Sequence, residues 1–281
     1  MLKSLFQIIF TLSMGLQSLS ASDELVHAND NQEKYTLQWK WAMESLDAFP
    51  FDKDDKVLDL RCGNGSITAV VAAKVPSGMV VGLDISETIL ADARENYQSP
   101  NIIYMQGDAR NLPFVAQFDK VVALLALNRI NEQEQALNSL YKALKPNGKA
   151  IITRPGKQPS NLGPLAHALT KTYRWAQYFS NFEQKKQYYN AKEYTLLLEN
   201  AGFVIEKISQ ESTYTHFKDR EAVVGFFRPL CNFIDHLSPS LQSLFVDEIV
   251  DAVLEANQIL PDGSILLHDF KLEAIVFKPI S

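Results

Sequence analysis

The segment Lys56–Ser86, KVLDLRCGNGSITAVVAAKVPSGMVVGLDIS, limits what this chain can fold into more than any other stretch. An apolar run over 56–60 stops at a turn with Gly63 and Gly65, a small-residue stretch of helical length follows, and a second apolar run ends in Asp84. This pattern predicts a β-loop-α-β unit. Glycine lets a loop backbone come close to a ligand at angles a Cβ forbids. An acid at the end of the second strand, about 20 residues beyond the glycines, is placed to accept hydrogen bonds from ribose hydroxyls. The unit reads as a site for a nucleoside cofactor.

The loop itself narrows the nucleoside. A dinucleotide fingerprint needs a third glycine to seat a pyrophosphate at the helix N-terminus, and that position is Thr68. An acid, Asp59, precedes the loop instead, and another, Asp108, closes a third strand-like run, IIYMQGD. An acid before the loop suits a cationic ligand, and S-adenosylmethionine carries a sulfonium, an ammonium, a ribose and an adenine. On this reading Asp59 faces the methionyl end, Asp84 holds the ribose and Asp108 accepts from the adenine amino group. Each acid alone fits a strand-end turn equally well; three in order after successive strands point to one ligand. A nicotinamide-dependent oxidoreductase is disfavoured by Thr68 and by the lack of a Tyr-x-x-x-Lys pair.

Further along, residues 29–50 carry a broad apolar face and predict a helix. A crossover helix is expected over 66–74, ended by Pro76 and Gly78, and Ser86 is a candidate N-cap for a helix reaching Tyr97. Strands follow at 101–105, at 119–127 as a continuous apolar run, and at 149–153 after the KPNG turn, with a helix at 132–144 between the last two. Alternating strands and helices predict an α/β, doubly wound parallel sheet with its ligand at the carboxyl ends of the strands. Beyond it, a strand is expected from Phe203 to Ser209, two amphipathic helices over 219–257, and a last buried strand over 271–278. Asp247, Glu248, Asp251 and Glu255 read as a solvated helix face.

Composition removes several alternatives. At 281 residues and 46% hydrophobic content, core size is no limit, and the net charge of −6 offers no basic field for nucleic acid. The two cysteines, Cys62 and Cys231, are far apart in sequence, and the five histidines show no ligand spacing, so neither a disulfide nor a metal site is expected. Residues 1–22, with one lysine, an apolar stretch and small residues at 20–22, resemble a secretory signal cleaved near Ser22, with a mildly amphipathic leading helix as the alternative, and are too short and interrupted for a membrane span. Against export stands cofactor supply: S-adenosylmethionine is made in the cytosol, which favours a cytoplasmic location.

VLDLRCGNGSIT, VVGLDIS, QGDARNLPF, FDKVVALLAL and ALKPNGKAIITRPG, in this order, resemble the successive motifs of class I S-adenosylmethionine-dependent methyltransferases. The likeness spans about 33–278 and is nearest to the trans-aconitate and juvenile hormone acid methyltransferase branch, which methylates carboxylates of small acids. It implies a Rossmann-like, seven-stranded sheet with an antiparallel last strand and a helical cap. Residues 29–281 would then form a single domain: a cofactor-binding core at 29–156, a cap at 157–200 and C-terminal strands and helices at 201–281. The cofactor residues it implies are Tyr35, Gln38, Asp59, Arg61, Gly63, Gly65, Asp84, Ile85, Asp108, Ala109 and Leu125, and the acceptor side falls to Asn128 and Arg129.

Two positions depart from the family pattern. Arg61 replaces the first loop glycine, where it either pairs with the methionyl carboxylate or clashes with it. Asn128 and Arg129 replace a histidine and a tryptophan, leaving an amide to hydrogen-bond and a guanidinium able to clamp a carboxylate in a bidentate pair or to sit as a solvated charge. The function implied is methyl transfer to a small acid or similar oxygen nucleophile; the alternative is a degenerate cofactor-binding or interaction module on the same fold. Because a carboxylate is already ionised at neutral pH, the reaction needs alignment and exclusion of water rather than a strong base. The aromatic segment 157–190, with Tyr173, Trp175, Tyr178, Phe179, Phe182, Tyr188 and Tyr189, is read as a lid over an apolar acceptor pocket, as the packing of a helical cap, or as both.

Overall fold

A computed structural model describes residues 32–157, 162–180, 182, 188–228 and 231–280. The apolar N-terminal segment 1–22 lies outside these residues. Among them, no helix is long and apolar enough to cross a membrane.

One mixed sheet organises the chain. Strands β1 (Lys56–Leu60), β2 (Met79–Asp84), β3 (Ile102–Gln106), β4 (Phe118–Leu124), β5 (Leu144–Pro155), β6 (Val204–Phe217), β7 (Gln258–Ile259) and β8 (Ile265–Phe277) run in the order β3-β2-β1-β4-β5-β8-β6, with the two-residue β7 beside β8. The first five pair in parallel, and β8 enters antiparallel between β5 and β6. This is the Rossmann-like sheet with a reversed last strand that the motif order implies. β8 pairs antiparallel with β6 over thirteen positions, Val204 opposite Phe277 to Phe217 opposite Ile265, and the chain between the two strands leaves the sheet to form helices before returning. Both strands are longer than their apolar patterns suggest, and their outer ends carry Phe217, Ile265 and Leu267 into the core of the cap.

The helices fall where local signals put them. α1 (Gln32–Ala48) buries Trp41, Ala42 and Leu46 against the sheet. α2 (Ser66–Lys74) starts at Gly65 and closes at Val75, one residue before Pro76. α3 (Glu87–Asn96) is capped by Ser86, whose hydroxyl accepts from the Ile89 amide at 3.4 Å. α4 (Gln133–Ala143), α5 (Leu162–Thr170) and α6 (Ala191–Asn200) follow; Asn190 and Glu193 form a reciprocal capping box on α6. α7 (Arg220–Phe227), capped by Asp219, and α8 (Pro239–Glu255) are separated by a short 3₁₀ turn at Asn232–His236.

Boundaries also moved in the parallel half of the sheet. β4 ends at Leu124 rather than Leu127, because Leu125 turns to φ 53° and Leu127–Arg129 winds into a 3₁₀ turn. The KPNG turn is absorbed into the start of β5 as a bulge, with Asn147 at φ 61°.

Cores occupy both faces of the sheet and a separate cap. One packs Leu58, Leu83, Val121, Leu137, Ile152 and Tyr194 on the side of α4 and α6; another packs Leu46, Val57, Val71, Val80 and Ile275 beneath α1 and α2. The third joins Ala166, Trp175 and Phe179 to Phe217, Phe233, Phe245 and Ile265. Trp175 meets Phe245 edge-on at 4.9 Å and gives its indole N–H to Glu248 at 2.7 Å. Phe179 and Phe182 pack on Phe233. Trp175, Phe179 and Phe182 therefore build the cap's interior, Tyr173 and Tyr178 are exposed, and Tyr188 and Tyr189 face the guanidiniums of Arg129 and Arg154 near the strand ends. Nor is the α8 acidic face purely solvated: Arg220 pairs with Asp247 and Asp251, and Glu248 also receives Arg174.

Candidate active site

The carboxyl ends of β1, β2 and β4 converge around the glycine loop. Asp84, nearly fully buried, accepts the Gly63 amide at 3.2 Å through Oδ2 and the Ser86 amide at 3.0 Å through Oδ1. Each oxygen retains lone-pair capacity for a ligand hydroxyl. Gly63 has φ 56°, and a Cβ there would enter open space; Gly65 has φ 83°, and a Cβ would lie 2.4 Å from the Tyr104 hydroxyl oxygen. Gly63 borders open space, and Gly65 permits the loop to sit on Tyr104. Beside them Ile85, directly after Asp84, presents an exposed apolar side chain, 54% accessible.

Asp59 lies beneath the loop. Its Oδ2 accepts the Thr68 hydroxyl at 2.6 Å, both groups being buried. Burial pushes the Asp59 carboxyl up to about 7, against the Thr68 hydrogen bond and with help from the charge of Asp84. A cation reaching this floor favours the ionised form. The Cys62 thiol, inside the same loop, is raised well beyond the normal thiol range by burial and then by Asp59 and Asp84, which makes it a poor nucleophile.

Arg61 and Leu125 both adopt left-handed backbone conformations at the ends of adjacent strands, φ 58° and 53°. The Arg61 Nη1 donates to the Ala126 carbonyl at 3.0 Å, so its side chain spans from the β1 turn to the β4 turn. Burial lowers its proton affinity while Asp84 and Asp108 raise it, and a guanidinium stays charged through such changes. Arg129 is exposed overall, while desolvation and then repulsion from Arg61 lower its proton affinity, opposed by Tyr188 and Asp84. Asn128 is buried, and its Oδ1 has no hydrogen-bond partner among the described residues. An unmet buried acceptor costs about 1–3 kcal/mol, a cost that a ligand donor would remove.

Other sequence candidates take different positions. Both oxygens of Asp108 are gripped by Arg110, with Nη2 2.6 Å from Oδ2 and Nε within 3.1 Å of each oxygen, and Arg110 reaches on to Glu132. The Arg110 hydrogen bonds outweigh burial and hold the Asp108 carboxyl below its ordinary range. Ala109 buries its methyl in the main core. Tyr35 and Gln38 lie on α1, and their side chains fall outside the described residues. Sequence reasoning passed over Thr68 as a partner of Asp59. It also passed over Arg154, fully buried near the end of β5. The available signal was a charged residue inside the apolar run AIITRP.

The donor set fits an adenosyl sulfonium: a buried carboxylate beneath the loop for positive charge, a second with free lone pairs for hydroxyls, and an exposed apolar edge for a base. A family model described as a methyltransferase domain matches residues 51–220. The chain belongs to the class I S-adenosylmethionine-dependent methyltransferases. Among the relatives of this methyltransferase is a trans-aconitate 2-methyltransferase of Variovorax paradoxus (strain S110), 30% identical over 80% of this chain and 88% of its own length. The protein of the same name from Shigella dysenteriae serotype 1 is 25% identical over 80% of this chain and 87% of its own. In fold, the chain is similar to phosphoethanolamine N-methyltransferase 2 of Haemonchus contortus, solved in complex with S-adenosyl-L-methionine, at TM-score 0.56 and 20% identity over 94% of this chain and 61% of that one.

Proposed function

We propose that this methyltransferase transfers the methyl group of S-adenosylmethionine to a carboxylate oxygen of a small-molecule acid. The observation that carries the acceptor class is the end of β4: a buried Asn128 amide with an unmet Oδ1, in the turn that also bears Arg129, which shares the electrostatic neighbourhood of Arg61. Two guanidiniums near one amide suit an anion, and each can engage a carboxylate in a bidentate pair. The Asn128 amide serves either way round. As placed, Oδ1 accepts from a ligand hydroxyl, and after a half-turn Nδ2 donates to a carboxylate. The names of the trans-aconitate relatives agree with an acid acceptor.

The cofactor supplies an electrophilic methyl on a sulfonium. In this reading the chain's own residues do the rest. Asp84 accepts from the ribose hydroxyls, Ile85 covers the base, Asp108 with Arg110 borders the adenine edge, and Ala109 and Leu125 line the site through their backbone. Gly63 and Gly65 keep the methionyl channel open, and Asp59 offers it negative charge. Arg61, Asn128 and Arg129 orient the acceptor anion. Because that anion is ionised at neutral pH, no side chain has to remove a proton, and the contribution of the site is alignment and exclusion of water. Residues 29–281 act as one catalytic unit in the cytosol, where the cofactor is made.

The test is titration calorimetry with S-adenosylmethionine, followed by incubation with methyl-labelled cofactor and a panel of mono-, di- and tricarboxylic acids, with mass spectrometry for methyl esters. Cofactor binding with label in an ester is the expected result. Cofactor binding with no ester from any acid, but label in an amine or carbon acceptor, overturns the carboxylate assignment.

A further inference from the structure

The turn that bears Asn128 and Arg129 is held from behind by a buried side-chain relay. Gln133, 2% exposed at the start of α4, points its Nε2 back into the turn and donates to the carbonyls of both Leu127 and Ile130. Its Oε1 accepts from Arg154 Nη1 at 2.9 Å. The Arg154 guanidinium is fully buried and lies between the rings of Tyr189 and Tyr194, its central carbon 4.6 Å from each centroid. Tyr194 belongs to α6. Tyr189 belongs to the strand-like return from the cap segment, where it bridges Gly156 and its carbonyl accepts the Lys157 amide at 2.9 Å.

The geometry points to Arg154 and Gln133 as positioning residues for the acceptor side of the site. The inference rests on the proposed role of Asn128 and Arg129, and it adds two residues that touch neither cofactor nor acceptor. The physical argument is one of fixed orientation. A glutamine amide can rotate by half a turn, and with its ends exchanged Oε1 would face two carbonyl oxygens. The Arg154 donor excludes that rotamer, because its N–H requires an acceptor at the other end. Arg154 in turn is held flat by two aromatic faces, a geometry that suits a planar guanidinium and not an ammonium. The seating of Tyr189 by the cap return thus sets the plane of Arg154, which sets the amide of Gln133, which closes the 3₁₀ turn at Leu127–Arg129. A relay of this kind couples the cap to the presentation of the acceptor without a contact between them.

The test uses the full-length protein and the variants Gln133→Glu, Gln133→Leu, Arg154→Lys and Arg154→Met. Gln133→Glu keeps an acceptor for Arg154 and removes the donor to the two carbonyls, so it separates a turn clamp from simple core packing. Amide hydrogen exchange of peptides covering 125–131 needs no substrate. Exchange there is expected at least tenfold faster in Gln133→Glu and in Arg154→Met, with peptides over 56–65 unchanged. Arg154→Met combined with Gln133→Leu should be no faster than either alone, because the two act in series. In turnover the acceptor KM should rise at least tenfold in Gln133→Glu, with cofactor Kd within twofold, and Arg154→Lys should recover only part of the loss seen in Arg154→Met. Wild-type exchange at 125–131 and wild-type KM in Gln133→Glu overturn the inference, as do additive effects of the two positions. Should the wild-type protein bind cofactor yet esterify no acid, the carboxylate reading fails while the exchange measurements still decide the relay. Should Arg154→Met fail to fold, Gln133→Glu and Arg154→Lys decide it.

Discussion

The Thr68 hydroxyl and the Asp59 carboxylate are hydrogen-bonded at 2.6 Å beneath the glycine loop, which joins the first turn of α2 to the end of β1 in a buried setting. Asp59 also titrates unusually. Its folded pKa, about 7, lies above the ordinary carboxylate value, so the native state binds this proton more tightly than the unfolded chain does. Stability from this group is therefore fully present below pH 4 and lost as pH rises towards 7. Asp59→Asn should raise Tm at pH 8, where the wild-type carboxylate is charged, and have a smaller effect at pH 5. Differential scanning calorimetry at both pH values measures this. An equal change at the two pH values would contradict the buried-acid account.

Glu273 behaves in the opposite sense. Burial would raise it, but the Ser45 hydroxyl at 2.6 Å, Lys271 at 3.2 Å and Lys207 at 3.3 Å outweigh that, and the net shift is downward. A depressed carboxyl contributes stability above its unfolded pKa and loses it as pH falls through the folded one. Glu273→Gln, which leaves the buried Lys271 without its nearest carboxylate, should cost on the order of 3 kcal/mol at pH 7. In thermal scans this is a Tm lower by about 6–12 °C, with the difference shrinking as pH falls below the ordinary glutamate range.

Gly63 and Gly65 should separate binding from folding. Both have positive φ, so alanine costs about 1–2 kcal/mol at either from backbone strain. At Gly65 the new methyl also collides with Tyr104, and denaturant titration should show the larger loss there. At Gly63 the methyl meets no protein atom and projects into the space assigned to the cofactor. Gly63→Ala should therefore stay folded and weaken S-adenosylmethionine by at least tenfold in calorimetry.

Arg129→Ala should raise the KM for an acid acceptor by about tenfold or more with cofactor Kd within twofold, since one charged, bidentate contact is worth about 1.5–3 kcal/mol. Arg129→Lys keeps the charge and loses the fork, and should recover part of the loss. Steady-state kinetics across the two variants distinguish an acceptor contact from a solvated charge, which would leave KM unchanged.

Much of the first half was legible because its signals are local. Lys56–Leu60 and Ser66–Lys74 stand where the apolar run and the small-residue stretch set them, Ser86 caps α3, and Asp84 ends β2 next to the glycine loop. Those features depend on backbone sterics and hydrophobic period, which a few neighbouring residues decide. The sheet order with its reversed last strand was also implied by the motif order.

What only the tertiary structure decided were the partners of charged and aromatic side chains. That Asp108 grips Arg110, that Arg61 reaches Ala126, that Trp175 and Phe179 fill the cap rather than roof the strand ends, and that Arg154 is buried between two tyrosines depend on residues distant in sequence or on side-chain direction. Composition and period say that a charge must be solvated or paired and that a ring must be covered. Which group does it is set by packing, where the alternatives differ by a few kcal/mol and only the assembled fold chooses among them.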